Sequence, residues 1–117
     1  MSAMAVQTVE VVSEFLPHPP RDELELACVL HALSDPVRLH IVLTLAAGDH
    51  ELSCGSIEVP VAKSTCTHHF RVLREAGVIH QRLEGTTKLN SLRGRDLDYR
   101  FPGLIAAVLA AKTTRPV

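Results

Sequence analysis

The sequence predicts a mainly α-helical domain with one small β-hairpin, and three observations lead to this fold class. Apolar residues recur at helical spacing in four segments of the chain. Two short strand-like runs flank a glycine-containing turn, which is typical of a hairpin. The chain has 117 residues, of which 46% are hydrophobic, so we expect a single domain with a real core.

The chain divides into three parts of unequal size. We expect an N-terminal arm and proline-rich linker over residues 1–21, the folded domain over residues 22–111 and a tail over residues 112–117. Residues 1–16 fit a helical stripe or a strand, so we interpret them as a weakly ordered arm that packs on a partner. Regular structure ends at the prolines of the linker, which are Pro17, Pro19 and Pro20.

The first two helices are predicted from their cap residues and apolar stripes. The first spans residues 22–33 with Asp22 as its N-cap. Ser34 or Asp35 caps the second, which carries Pro36 in its first turn, where a missing N–H costs nothing. The apolar residues expected to face inward are Leu26, Val29, Leu30, Leu33, Val37, Ile41, Val42 and Leu45.

A polar, loop-like segment over residues 49–58, with at most a short helix over 53–58, leads to the third long helix. That helix is predicted over residues 63–76, and Gly77 follows where a left-handed C-cap residue belongs. Its inward positions are Cys66, His69, Phe70 and Leu73.

The C-terminal part is predicted as a hairpin and a final helix. Residues 78–84 and 87–92 are the strands, joined at Gly85. The helix over residues 102–111 is apolar on all sides and must be covered on both, most simply by another subunit. We therefore predict a dimer whose interface includes Leu24, Leu30, Phe101, Ile105 and Val108.

The near-neutral net charge hides a marked asymmetry. Residues 1–59 hold two basic and nine acidic residues, a net of −7, whereas residues 60–95 hold seven basic and two acidic residues, a net of +5. A chance surface distribution is one reading, and a polyanion-binding half is the other.

The order helix, helix, short helix, helix, hairpin, helix is that of a winged helix-turn-helix. In that fold one helix enters the DNA major groove and the hairpin straddles neighbouring phosphates. Hydroxyls and an arginine on the outer side of the third helix suit base edges, and lysines suit phosphates. The predicted DNA-binding residues are Ser64, Thr65, Thr67, His68 and Arg71 for the groove, and Lys63, Arg82 and Lys88 for the backbone.

Two stretches resemble the ArsR/SmtB-type winged helix-turn-helix transcriptional regulators. Asp35-Pro36-Val37-Arg38-Leu39-His40-Ile41-Val42 is similar to their second-helix signature, and residues 64–79 are similar to their recognition helix and following turn. The resemblance covers roughly residues 22–111. It implies a homodimer that represses promoters and releases an inverted-repeat operator when a metal, metalloid or oxidant binds.

The same resemblance argues against the family's usual sensing sites. Where metalloid-sensing members carry a Cys-Val-Cys-Asp run, this chain has Ser53-Cys54-Gly55. The predicted last helix has no His, Asp, Glu or Cys, so zinc-sensing ligands and the second cysteine of the common redox pair are missing. We predict no family-standard metal or redox site and no cofactor.

The remaining cysteines and histidines receive structural interpretations. Cys28 and Cys66 are expected to be small core residues, and Cys54 the most reactive of the three thiols. His69 is expected to be packed inside the helix-turn-helix, and His80 to be a solvated strand residue.

Other classes of protein fit the sequence poorly. It lacks a phosphate-binding glycine loop, His-Glu-x-x-His and Cys-x-x-Cys, so we predict that it is not an enzyme. The sparse cysteines fit a reducing cytoplasm, and no apolar run is long enough for a membrane span. Two alternatives stay open: a regulator whose acidic half docks a sensing partner protein, and a protein-interaction module on the same fold. Clustered cations on the outer face favour DNA over the second.

Overall fold

Five α-helices and a four-stranded antiparallel sheet form the chain over residues 14–48 and 50–114, the part that the computed structural model describes, with side chains through residue 111. The helices are α1 (Leu26–Leu33), α2 (Pro36–Ala47), α3 (Lys63–Glu75), α4 (Gly94–Arg100) and α5 (Leu104–Thr114). The strands are β1 (Glu14–Phe15), β2 (Leu52–Ser53), β3 (Ile79–Glu84) and β4 (Thr87–Leu92), in the order β1-β3-β4-β2. The predicted fold class is confirmed. Within the described part, no single helix is long and apolar enough to cross a membrane, and only α1 and α2 together, bent by 98°, pass on length and composition.

The core lies between the helices and the inner face of the sheet. Phe70 and Leu73 of α3 are at most 2% exposed and share this core with α2, α4 and the start of β3. Burial of such side chains contributes roughly 1.5–3 kcal/mol each. The buried residues that define the core include Val29, Ala32, Ile41, Val42, Val78, Ile79 and Leu97.

The start of α2 confirms the sequence prediction, whereas the start of α1 does not. Asp35 caps α2 by accepting the backbone N–H of Val37 at 2.8 Å. In contrast, α1 begins at Leu26, and Asp22 lies in a 3-10 turn instead of capping the helix. The chain is extended at Leu24 because that side chain is buried in the core, only 1% exposed. Leu24 therefore packs within its own chain and not at the predicted dimer interface.

One face of α1 is open to solvent. Leu26 and Leu30 are 46% and 45% exposed. Cys28 is exposed as well, so the prediction that it is a core residue is wrong. A local apolar pattern cannot tell which side of a helix its own chain covers.

Two glycines set the geometry of the hairpin, which we call the wing. Gly85 at its tip has a φ of +67°, as its turn requires. Gly77 ends α3 with a φ of +87°, confirming the predicted left-handed C-cap. A Cβ at Gly77 would collide with the Leu24 side chain, so the position is restricted by space as well as by conformation.

Two short edge strands extend the hairpin into a sheet. β1 lies in the segment for which the sequence left helix and strand open, whereas β2 was not predicted. β2 pairs with β4, and a 3-10 turn over Cys54–Ser56 follows it, where the sequence allowed at most a short helix over 53–58. β1 pairs with β3, and the Leu16 backbone N–H donates to the Gln81 carbonyl oxygen at 2.8 Å. The end of the predicted arm is thus part of the sheet, while residues 1–13 lie outside the described residues.

The C-terminal region forms two helices. α4 is a seven-residue helix ahead of the predicted last helix, and α5 continues to Thr114, into the predicted tail. Ile105 is 7% exposed and is buried by its own chain, contrary to its assignment to the dimer interface. Phe101 and Val108 are half-buried against the core, whereas Ala106 and Ala107 are exposed.

Candidate nucleic-acid interface

The two sides of α3 differ sharply in exposure. Its inner side buries His69, Phe70 and Leu73. Its outer side exposes the five residues that the sequence assigned to the major groove, which we call the reading face: Ser64, Thr65, Thr67, His68 and Arg71. The helix therefore presents hydroxyls, an imidazole and a guanidinium from a rigid element, as base-edge recognition requires.

A buried polar cluster fixes the inner side of α3 to α2. Arg38 is 7% exposed and donates from Nη1 to His69 Nδ1 at 3.1 Å. Its Nε donates to the Ala32 carbonyl oxygen at 2.8 Å. A guanidinium can only donate, so Nδ1 of His69 accepts and the imidazole proton sits on Nε2. The prediction that His69 is packed inside the helix-turn-helix is confirmed.

Asp35 completes this cluster from the other side. Its carboxylate lies 3.8 Å from His69 Nε2 while it caps α2. The backbone N–H groups of Arg38 and Val37 lower the pKa of Asp35, and the charge of the Arg38 side chain lowers it further. The helix cap and the orientation of the recognition helix thus depend on the same carboxylate.

Polar groups of the reading face bond mainly to one another and to their own helix. Arg71 Nη2 and His68 Nδ1 are 3.2 Å apart. The Thr67 hydroxyl donates to the Lys63 carbonyl oxygen at 3.0 Å, which leaves its oxygen able to accept. Among the described residues, no acidic side chain forms a salt bridge with Arg71 or Lys63.

The predicted phosphate contacts differ in their surroundings. Lys63 is exposed and Lys88 half-buried, and both line the groove between α3 and the wing. Arg82 donates to both carboxylate oxygens of Glu51, from Nε and Nη2, at 2.7 Å each. This pair lowers the pKa of Glu51 and raises that of Arg82. A phosphate contact by Arg82 would have to compete with a carboxylate of its own chain.

Sequence reasoning missed a polar relay that joins α3 to the sheet. Arg74 Nη1 donates to Gln81 Oε1 at 2.7 Å, and Gln81 Nε2 donates to Asn90 Oδ1 at 2.8 Å. Gln81 and Asn90 are at most 1% exposed and face each other in the β3–β4 register. The sequence did offer one signal for this contact, because Gln81 and Asn90 occupy opposite positions in the two predicted strands.

His80 is not the solvated residue that the sequence indicated. Its ring lies 4.6 Å from that of His18 and 5.2 Å from that of Phe15, centroid to centroid. Burial lowers the pKa of His80, and the charges of Arg93 and His18 lower it further. Pairing of β1 with β3 causes this difference, because it brings the linker over the strand.

The described cysteines and histidines are not grouped as a metal centre would require. Among the described residues there is no group of three or more His, Cys, Asp and Glu side chains placed to hold an ion. Cys54 and Cys66 line the groove beside α3. Burial raises the pKa of Cys66, and the proximity of Cys54 raises it further.

Comparisons with known proteins agree with this geometry. A helix-turn-helix domain family matches residues 33–82. YceK of Bacillus subtilis, an uncharacterised HTH-type transcriptional regulator, is 37% identical over 93 residues, which are 78% of this chain and 93% of that protein. The transcriptional repressor BigR from Xylella fastidiosa is 28% identical, with a TM-score of 0.60 over 79% of this chain and 87% of that one. An ArsR family regulator at 17% identity, with a TM-score of 0.59 over 78% of this chain and 93% of that one, shares the fold.

The chain belongs to the ArsR-type winged helix-turn-helix transcriptional regulators. It is a DNA-binding regulator of transcription. The matched span of this regulator runs from the end of α1 into β3. It therefore contains the Arg38–His69 contact, the whole reading face and the first four residues of the wing.

Proposed function

We propose that this regulator is a homodimeric repressor that presents α3 of each subunit to one half of an inverted-repeat operator. The observation that carries the proposal is the contrast across α3, whose inner side is buried and whose outer side is polar and exposed. The half-sites would lie roughly one helical turn apart. Because the proposed target is promoter DNA, we propose that the protein acts in the cytoplasm. The proposal includes no catalysis and no cofactor.

The proposed DNA contacts divide by chemistry. Residues of the reading face contact base edges, with Arg71 the side chain that can engage guanine through two donors. Lys63 and Lys88 contact phosphates, and Arg82 does so only where a phosphate displaces Glu51. The names of relatives support repression, since a Xylella fastidiosa protein 35% identical over 80 residues, 62% of this chain and 68% of that protein, is a biofilm growth-associated repressor.

The proposed dimer rests on apolar surface that the described part of one chain leaves exposed. Leu26 and Leu30 lie on α1, and Ala106 and Ala107 lie on α5. A second copy that covers both helices would remove this surface from water, which favours association. Leu30, Phe101 and Val108 remain in the proposed interface, whereas Leu24 and Ile105 are taken up by the core.

A second candidate is a regulator without a ligand of its own that works with a sensing partner protein. The supporting observation is an exposed acidic segment ahead of α1, formed by Asp22, Glu23 and Glu25. A partner with a basic surface would complement the charge of this segment. Co-purification of such a partner that changes DNA affinity would favour this candidate.

The experiment is selection of a bound sequence from random duplex DNA, followed by measurement of its stoichiometry. We expect an inverted repeat, two chains per duplex and an affinity that falls steeply with salt. Arg71→Ala should weaken binding, and Arg95→Ala, which removes an exposed cation on α4, is the matched control. A single half-site bound by one chain would contradict the dimer, and salt-independent binding would contradict the interface.

A further inference from the structure

We propose that the cavity between α3 and the wing binds a small organic anion with an apolar body. It lies between the 3-10 turn over Cys54–Ser56, the first half of α3 and the wing. The cavity has a volume of about 690 Å³. Pockets for small molecules fall in the range of roughly 300–1,000 Å³, so a ligand of one or two aromatic rings fits with room for solvent.

The walls of the cavity are largely apolar. Its aliphatic and aromatic surface comes from the loop before α3 and from α3 itself, and two thiols add to it. Contact with such walls removes apolar ligand surface from water, at roughly 25 cal/mol per Å². This surface is formed by Val59 and Val61 with Cys54 and Cys66, and the almost completely buried Ile57 and Phe70 complete the lining.

Positive charge surrounds the same cavity. Among the described residues, four cationic side chains line it and only one carboxylate, that of Glu58, does so. Glu58 is exposed, so water screens its charge. The four cations are Lys63, Arg71, Arg74 and Lys88. This imbalance favours a ligand that carries a negative charge.

Arg74 is the cation whose surroundings point most directly to an anion. Its side chain is 13% exposed, and the nearest carboxylate in an ion pair with it, that of Glu75, is 4.0 Å away. Its Nη1 donates to Gln81, whereas its buried Nε has no hydrogen-bond partner among the described residues. A mostly buried guanidinium with weak charge compensation is stabilised by an anion placed next to it.

A bare phosphate would satisfy the cations and leave the apolar walls in water. An aromatic or branched aliphatic carboxylate matches both features, because its body covers the walls while its charged group meets the lysines and arginines. The class of ligand that we infer is therefore a small organic carboxylate. DNA phosphate in the same groove is the alternative that the experiment must separate.

The inference has a regulatory consequence that rests on the proposed function. Lys63, Thr67, Arg71 and Lys88 belong both to the cavity lining and to the proposed DNA contacts. An anion bound there and an operator cannot use the same cations at the same time. The ligand should therefore weaken DNA binding, and DNA should weaken ligand binding by the same factor.

The test uses 2-naphthoate as the probe and 2-naphthamide as its neutral control of nearly the same shape. Calorimetric titration of the full chain should show binding of the anion and at least about fivefold weaker binding of the amide. Lys88→Gln should weaken 2-naphthoate binding by about two- to fivefold. Arg95→Gln removes a cation outside the cavity and should leave the affinity unchanged.

The three cysteines provide an independent readout. Cys54 and Cys66 line the cavity, while Cys28 is exposed on α1. Bound 2-naphthoate should slow alkylation of the first two by iodoacetamide and leave that of Cys28 unchanged. Equal binding of anion and amide, or equal protection of all three thiols, would overturn the inference.

The two proposals fail in different ways. If the chain binds its operator but not 2-naphthoate, and the operator alone protects Cys54 and Cys66, the cavity is a DNA groove and the inference is wrong. If the chain binds 2-naphthoate with the expected Lys88 dependence but binds no duplex, the inference stands and the proposed function is wrong. Displacement of the operator by 2-naphthoate supports both.

Discussion

The polar groups on the outer side of α3 are exposed, whereas those on the strands beside it are paired or buried. On α3, Arg71 bonds only to the neighbouring His68 within the described residues, and both remain exposed. On the sheet, Arg82 is paired with Glu51, and Gln81 and Asn90 are buried in the relay to Arg74. One region keeps its donors available for a ligand, while the other uses them to hold the first region in place.

The largest effect should come from the junction between these regions. Gly77→Ala places a side chain at a φ of +87° and against Leu24, so both backbone strain and overpacking oppose folding. We expect a loss of about 2–4 kcal/mol in the free energy of unfolding, measured by urea denaturation. Gly94→Ala is the control, because nothing lies within 4 Å of its added Cβ, and it should change stability by less than about 0.5 kcal/mol. A tolerated Gly77→Ala would mean that Leu24 does not hold the end of α3.

The next effect separates the inner and outer sides of α3. His69→Ala leaves Arg38 Nη1 buried without its acceptor, so we expect a loss of about 1–3 kcal/mol in stability, together with weaker DNA binding. His68→Ala is the matched neighbour on the exposed side and should affect DNA binding without a measurable change in stability. Denaturation and DNA titration of both variants check this contrast. Equal stability losses would contradict the difference between the two sides.

A region could be predicted from the sequence where the residues that determine its structure lie close together in the chain. Asp35-Pro36 and Gly77 are local signals, so the start of α2 and the end of α3 were predictable. β1 and β2 have two residues each, too few for any periodicity, and they form only because the hairpin offers edges.

The candidate site shows the same division. The exposure of the reading face followed from helical spacing alone. The Arg82–Glu51 pair joins residues 31 positions apart, and no local sequence pattern around either residue predicts it. The burial of Leu24 and the exposure of Cys28 likewise depend on how α1 sits on the core, which the pattern of one helix does not contain.

Within the proposed interface, the reading face and the wing should differ in what they recognise. Arg71→Ala should cost about 1–3 kcal/mol on the selected operator and relax preference at one base position per half-site. Lys88→Ala should weaken all duplexes similarly and lower the slope of log affinity against log salt by about 1 per contacting subunit. Titration of operator and scrambled duplexes at several salt concentrations measures both effects. The reverse pattern would exchange the roles of helix and wing.

The smallest effect should come from the ion pair that holds the sheet. Arg82 lowers the pKa of Glu51, so the pair stabilises the fold above the unfolded pKa of a glutamate, about 4.3, and this contribution is lost as the pH falls through the lower folded value. Because both side chains are partly exposed, 20% and 31%, we expect Glu51→Gln to cost less than about 1 kcal/mol at pH 7. The difference between the variant and the parent should shrink steadily as the pH falls below the unfolded pKa of a glutamate, in urea denaturation repeated across this range. Glu23→Gln, which changes an exposed carboxylate of the first 3-10 turn, should show no such convergence because it starts with no difference. A Glu51→Gln cost that stays constant with pH would mean that packing of the Glu51 side chain, and not its charge, accounts for the loss of stability.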